Sequence, residues 1–239
     1  LAVLGLFSKD HAVWHADDIN AALGYARATG YRYVKDLVAA GLLQKVAAGR
    51  YALGARIIEL DFQLRQSDPV LLSSIAEMDA LARRSGLDVV LSSLFGQARV
   101  VDTHRVGDNG SLRLEYGRGR PRPLFKGAAP KVMLASLPRA QQQALYDAYA
   151  ADIAAANLGA SWKEFRQRMT AIRRAGFYFS RGELDPGVGG AAMPVLNRNG
   201  ELLGALTLVG TNEALMAAGE CRLAAWLQEA VQRIKAALP

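Results

Sequence analysis

The sequence predicts an α+β protein of two parts. An N-terminal winged helix-turn-helix is joined by a linker helix to a larger domain built on an antiparallel sheet. Three observations predict it. The chain has 239 residues, about one and a half times a usual domain. Its first fifty-odd residues carry three short helical patterns, then two strand-like runs joined through glycine. Beyond Asp68-Pro69 the order becomes helix, strands, helices, strands, helix, with a hairpin signal near the end.

Leu1, Val3, Leu4 and Phe7 sit at helical spacing and form one apolar stripe. A helix opening on the first residue suggests missing upstream residues, and the stretch is too short for a signal peptide. His15 precedes a second helix whose first turn holds Asp17 and Asp18, at the positive end of the macrodipole, and Gly24 stops it. A third helix spans about 27–40, with Tyr33, Val34, Leu37 and Val38 as its apolar face and Gly41 at its end. Residues 42–46 and 50–53 are strand-like and joined by Ala47-Ala48-Gly49, a hairpin. Residues 55–66 are helical, with Ile57, Ile58, Leu60 and Leu64 apolar, and Asp68-Pro69 ends them. The domains are therefore 1–54, a linker helix at 55–68, and 69–239. The linker's apolar stripe must be covered, by a second subunit in preference to the same chain.

The larger domain opens with a helix at 70–85. Runs at 88–95 and 98–105 form a hairpin across Gly96-Gln97, and 112–116 reads as a third strand. Residues 127–136 and 139–149 are helical, and the Ala-rich stretch 148–160 reads as a connection. Ser161-Trp162-Lys163-Glu164 is a capping box opening a helix to Ala175. Strands at 177–180 and 191–196 follow. Asn199-Gly200 signals a type I′ turn before a strand at 202–210, and one long helix, about 213–238, closes the chain.

Composition removes several classes. Half the chain is hydrophobic (51%) and 21% is charged, which supports real cores and excludes wholesale disorder. A single Cys221 forms no internal disulfide, and three histidines show no metal-ligand spacing, so neither zinc nor another cofactor is expected. No apolar run reaches the roughly 18–20 residues that span a bilayer, and the protein reads as soluble and cytoplasmic. There is no G-x-S-x-G, no Walker loop and no strand-borne G-x-G-x-x-G. Asp102 and His104 alternate on a strand without a nucleophile, and Glu183 and Asp185 flank a turn, so no enzyme is expected. The alternative is an acyltransferase-like enzyme with an auxiliary helix-turn-helix. It needs a pyrophosphate-cradling turn, for which the glycine-rich stretch 182–190 offers only Arg181.

The net charge of +7 implies an anionic partner. On the third helix Arg27, Tyr31 and Lys35 lie at i, i+4, i+8, beside Ala28 and Arg32. A helix entering a major groove needs such cations, donors and small residues; an ordinary solvated face has the same look. The hairpin that follows, with Arg50 beside its glycine tip, makes DNA binding the leading reading. Residues 1–66 nonetheless carry a net charge of only +2, so two or more copies per operator are expected. Most basic is 113–131, with Arg113, Arg118, Arg120, Arg122, Lys126 and Lys131 against Glu115. It is rich in glycine and proline, excludes helix and strand, and feeds a helix starting near Gly127. That N-terminus, flanked by Phe125 and Lys126, suits a small carboxylate; a solvated basic loop with no ligand has the same look. Strand alternation puts Ala205, Thr207 and Val209 on one face, where Thr207 offers a hydroxyl among apolar neighbours.

Ordered motifs along nearly the whole chain resemble the IclR family of bacterial transcriptional regulators. Gly24-Tyr25-Ala26-Arg27-Ala28-Thr29-Gly30-Tyr31-Arg32 is similar to the family's G-L-S-R-A-T-x-Y-R, and Pro123-Leu124-Phe125-Lys126-Gly127-Ala128-Ala129-Pro130-Lys131 to P-L-H-A-T-A-x-G-K. Gly176-Phe177, Glu183 through Val188, Ala191 through Val195 and Gly204 through Leu208 resemble the C-terminal G-Y, E-x-E-P-G-V, A-A-P-V and G-A-L-S-L. The resemblance implies a GAF-like effector domain, and homodimers or dimers of dimers on operator DNA next to a catabolic operon. It also implies effectors that are small organic or aromatic acids. It adds Thr29 to Arg27, Ala28, Tyr31, Arg32, Lys35 and Arg50 as DNA contacts. It places effector contacts on Gly127, Ala128, Ser180, Gly190, Thr207 and Val209, beside Phe125 and Lys126. Gly190 stands where many members carry cysteine, Val209 where serine is common, and Phe125-Lys126 where His-Ala is usual. The implied site is roomier and more apolar at one end, with a cation added at the other. Ala26 replaces the usual capping serine, at a cost of roughly 1 kcal/mol.

Overall fold

His15 caps the first helix, α1 (Ala16–Leu23): its Nδ1 accepts from the Asp17 N–H at 3.3 Å. After Gly24 the chain re-enters helix as α2 (Arg27–Ala39), which has no side-chain cap because Ala26 carries no acceptor. The buried face of α2 is Gly30, Val34 and Leu37, at i, i+4, i+7. Tyr33, expected on that face, is exposed instead. Gly30 is buried because Asn20 of α1 fills the space beside it: a Cβ there would lie 1.5 Å from the Asn20 Oδ1. The hairpin is β2 (Leu43–Ala47) and β3 (Arg50–Leu53), and a short β1 (Trp14–His15) pairs with β3 to complete a three-stranded antiparallel sheet. Two residues have no periodicity to detect, so β1 exists only through its partner. The apolar first residues form a short 3-10 helix, Ala2–Leu6, of which only Val3 is buried, against Ile19, Val34, Leu37 and Leu43. α3 (Arg56–Ser67) buries nothing: Ile58 is 74% and Phe62 63% exposed.

This computed structural model describes residues 1–96, 99–107 and 118–239. It divides into two compact units, Leu1–Asp68 and Pro69–Pro239. The second opens with α4 (Pro69–Ser85) and is organised by a six-stranded antiparallel sheet. In spatial order its strands are β6 (Pro121–Arg122), β5 (Arg99–Val106), β4 (Asp88–Phe95), β9 (Leu202–Thr211), β8 (Val188–Leu196) and β7 (Tyr178–Arg181). Strand alternation splits the buried residues between two cores. Ala192 and Ala205 face α5 (Ala128–Ser136), α6 (Arg139–Ala155) and α7 (Trp162–Ala175) through Met133, Leu145 and Phe165. Ala191, Leu206 and Leu208 face α4 and α9 (Glu220–Ala237) through Met78, Leu223 and Leu227.

Several elements differ from the sequence reading. The composition of the basic stretch 113–131 argues against strand, yet Pro121–Arg122 pairs with Val100 and Val101 of β5. Proline is tolerated there because β6 is the sheet edge and no ladder donor is forfeited. The strand expected at 112–116 lies outside the described residues, as does part of the turn at Gly96-Gln97. Val188, Gly189 and Gly190, expected in a glycine-rich loop, belong to β8 and pair with β9. Helix α6 runs on through the Ala-rich stretch to Ala155, with a non-helical kink at Tyr149. The closing helix is two, α8 (Asn212–Ala218) and α9, parted by Gly219 at φ 81°. Asn199-Gly200 closes the β8–β9 hairpin with only Gly200 at positive φ, so the turn is not type I′.

Gly54 is where two backbone segments of the first unit meet closely. A Cβ there would sit 2.0 Å from the Gly41 carbonyl oxygen, a backbone atom that itself accepts from the Arg56 N–H. Gly54→Ala is expected to cost about 1–3 kcal/mol and lower the thermal midpoint, while Gly5→Ala, which meets nothing within 4 Å, is the neutral control. Equal midpoints for both variants would refute the steric account.

Candidate functional site

The outward face of α2 gathers most of the residues predicted for DNA. Arg27, Ala28, Tyr31, Arg32 and Lys35 are exposed, and Thr29 is half-buried. Asp17 of α1 organises the start of this face. It accepts from the Tyr31 hydroxyl at 3.2 Å and lies 3.5 Å from Arg27 Nε. Arg27 also stacks over the Tyr31 ring at 5.6 Å. The Tyr31 hydrogen bond, then the Asp17 charge, holds the Arg27 pKa above the ordinary arginine value. Arg50 is exposed on β3, opposite His15 and Ala47. The hairpin tip is fixed to α1: Gly49 accepts from the Ala16 N–H at 3.0 Å, and a Cβ on Gly49 would come 2.4 Å from His15 Nε2. His15 thus serves both as helix cap and as buttress for the hairpin. No sequence motif marks that role, because the contact crosses from residue 15 to residue 49.

In the second unit, Gly127, Ala128, Ser180, Gly190, Thr207 and Val209 all line one small cavity of about 30 Å³. The strand register brings them together: Ser180 pairs with Gly190, and Gly190 with Val209. Thr207 is adjacent to Val209 on the same face of β9. Gly190 supplies the space. A Cβ there would meet Thr207 Cγ2, Ser180 Oγ and Ala128 Cβ at 3.4–3.7 Å. Ser180 donates to the Gly190 carbonyl at 3.3 Å. The Thr207 hydroxyl is fully buried and makes no hydrogen bond. A buried hydroxyl without a partner is costly, which marks this wall as a place for a ligand or water.

Phe125 and Lys126 lie elsewhere. Phe125 is buried in the α5–α7 core, its ring 5.9 Å from Tyr149. Lys126 lines a second cavity of about 460 Å³ with Lys131, Arg168, Tyr178 and Glu183. The chain turns at Gly127, whose φ of 88° only glycine adopts readily; Lys126 before it lines the larger cavity, and Gly127, Ala128 and Ala129 line the small one. Glu183 lines both.

Glu183 also holds the group expected to bind a ligand. Its Oε2 accepts from the Gly127 N–H at 2.8 Å and from Lys131 Nζ at 2.6 Å. The Tyr178 hydroxyl donates to its Oε1 at 3.2 Å and accepts from Lys131 at 3.1 Å. Lys131 is almost entirely buried, its side chain 5% exposed. The positive end of α5 therefore already carries a carboxylate, the chain's own. The cation that does line the small cavity is Arg122, from edge strand β6, 3.4 Å from Asp102. Asp102 is itself buried and accepts from Ser92 at 2.7 Å, a structural position. Sequence reasoning counts Arg122 among the loop cations and misses its role; only the β5–β6 pairing aims it inward.

Among the described residues no group of histidine, cysteine, aspartate or glutamate is arranged to hold a metal. No helix among them is long and apolar enough to cross a membrane.

Comparison with known proteins identifies the chain. The family pattern described as bacterial transcriptional regulator IclR C-terminal matches residues 65–236. The HTH-type transcriptional regulator XynR of Escherichia coli (strain K12) is 26% identical over 210 residues, covering 87% of this chain and 82% of that protein. An IclR transcriptional regulator from Alicyclobacillus acidocaldarius shares the fold with a TM-score of 0.81 at 21% identity, covering 100% of this chain and 96% of that one. So does an IclR homolog from Microbacterium hydrocarbonoxydans, solved in complex with 4-hydroxybenzoate, with a TM-score of 0.75 at 20% identity, over 99% and 95% of the two chains. With the family pattern spanning most of its length, this protein belongs to the IclR family of bacterial transcriptional regulators: it is a DNA-binding regulator and not an enzyme.

Proposed function

We propose that this regulator binds operator DNA through a winged helix-turn-helix at 1–54. A GAF-like domain at 69–239 then responds to a small organic or aromatic acid from the catabolic route the operon encodes. The reading rests on one observation above all: the predicted effector positions converge on a small cavity in whose wall the buried Thr207 hydroxyl has no partner. In the first unit α2 reads the major groove with Arg27, Arg32 and Lys35, Ala28 permits close approach, Thr29 and Tyr31 add donors, and Arg50 reaches the backbone from the wing. Asp17 holds Arg27 and Tyr31 in place before DNA arrives.

In the cavity the acid's carboxylate meets Arg122, and Thr207 and Ser180 supply hydroxyls. Gly190, Val209 and Ala128 form the apolar wall. The 4-hydroxybenzoate bound by the Microbacterium hydrocarbonoxydans homolog supports a carboxylate-bearing ligand of this size class. A ring does not fit in about 30 Å³, so ligand entry must widen the cavity. The segment that gives way is the β7–β8 connection, tethered to α5 by Glu183. A ligand that binds the widened form better shifts the population, which is the linkage a regulator requires. The exposed Ile58 and Phe62, one turn apart on one face of the linker helix α3, are the surface through which two copies pair.

Arg27→Ala, Arg32→Ala and Lys35→Ala are each expected to weaken operator binding in gel shifts and to flatten its salt dependence by about 0.9 for each phosphate left without its cation. Unchanged affinity in all three would remove α2 as the reading helix. In calorimetry with 4-hydroxybenzoate and a short oxo acid, Arg122→Gln should abolish carboxylate binding while Lys126→Gln leaves it intact, and the reverse pattern would return the charge to Lys126. Glu183→Gln strands the buried Lys131 cation, so a loss of about 3 kcal/mol or more is expected, partly restored by added carboxylate. No recovery with added carboxylate would mean that the head of α5 takes no external anion. For the linker, Phe62→Glu should shift the sedimentation of the full chain to a smaller species; an unaltered profile would place the subunit interface elsewhere.

A further inference from the structure

The charge of this regulator is not where its DNA-reading helix is. Residues 1–66 hold +2 of the chain's +7, whereas α7 alone, with Lys163, Arg166, Arg168, Arg173 and Arg174 against Glu164, holds +4. Helix α7 is strongly amphipathic: Phe165, Met169 and Ile172 are buried, and the cations lie outward. Lys163, Arg166, Gln167, Thr170 and Arg174, at i, i+3, i+4, i+7 and i+11, form one stripe along it. Arg139, the first residue of α6, joins them, and together they line a groove of about 570 Å³ with no carboxylate in its wall. Among the described residues none of the four side chains Arg139, Lys163, Arg166 and Arg174 makes an ion pair or hydrogen bond. Like charges grouped this way repel one another and destabilise the face unless an anion covers it.

We propose that this groove is a second DNA contact, which holds the phosphate backbone without reading sequence. Three observations favour DNA over a small acid or an acidic protein. DNA is already this family's partner, and the first unit's +2 leaves most of the electrostatic attraction to be supplied from elsewhere. The stripe from Lys163 to Arg174 is about 16 Å long by helical rise, the length of roughly five phosphates on one strand. Cations spread over such a distance suit a regular polyanion better than one carboxylate. Gln167 and Thr170 add the neutral donors commonly found on phosphate oxygens. Trp162 borders the groove, but its ring packs on Tyr146 and Phe165 and is not presented for base stacking, which fits a backbone contact.

The test is a salt titration of full-length protein binding to a random-sequence duplex, followed by fluorescence anisotropy. Replacing Arg139, Lys163, Arg166 and Arg174 together by glutamine should lower the slope of log affinity against log salt by about 3–4, and the pair Arg166→Gln, Arg174→Gln by about 2. The charge-keeping set Arg139→Lys, Arg166→Lys, Arg174→Lys should leave the slope near wild type, because Lys also neutralises phosphate as a point charge. A wild-type slope in the folded glutamine pair would overturn the proposal. Arg27→Ala measured alongside separates the two surfaces, since removing that α2 cation flattens the slope whether or not the groove binds DNA.

Discussion

Glu183 is the residue on which the second unit turns. One carboxylate oxygen takes both the first amide of α5 and the buried Lys131 ammonium. Burying an ammonium that is 5% exposed is costly without a carboxylate beside it, and an orphaned helix amide needs an acceptor. The two needs are met by one group on the connection between β7 and β8. The contact therefore couples a rigid helix end to the least regular segment of the sheet. Glu183 also lines both the small cavity and the larger basic one. Whatever enters either cavity meets the same carboxylate, which makes that contact the natural place for ligand and structure to exchange free energy.

The first unit follows a similar logic at lower burial. Asp17 is an acid placed amid the cations on the exposed face of α2, where charge counting alone would object to it. Its contacts explain it: it caps no phosphate site but fixes Arg27 and Tyr31 before binding. Both interactions are exposed, so each contributes little stability and is readily exchanged for a phosphate. His15 and Gly49 do the corresponding work for the hairpin, joining its tip to the start of α1. Rigid placement of a few side chains lowers the ordering cost of binding, and that matters in a unit with so small a net charge.

Basicity in this chain thus has three separate meanings. On α2 it is sparse and positioned. In the interior it is paired, as Lys131 with Glu183 and Arg122 with Asp102. On α7 it is dense and without counter-charge in the groove. A composition total merges the three, and burial separates them.

The amino-acid sequence by itself determined the elements whose signals are local. The cap and stop of α1, the start of α2, the hairpin glycine, the Ser161 capping box and the alternation along β9 each rest on interactions within a few residues. Six of the residues that line the small cavity were also legible, through motif positions and strand alternation. What only the tertiary structure decided depends on partners far along the chain. Proline-bearing β6 and two-residue β1 are strands solely because a neighbour pairs with them. Gly189 and Gly190 are extended because β7 and β9 flank them. Phe125 and Lys126 adjoin Gly127 in sequence yet leave its cavity, because the backbone reverses there. Arg122 and Glu183, far apart in the chain, line the same cavity. Short-range hydrogen bonds and side-chain periodicity are written in neighbouring residues; the direction in which a charged side chain points is set by whichever strand it pairs with, and that is a property of the fold.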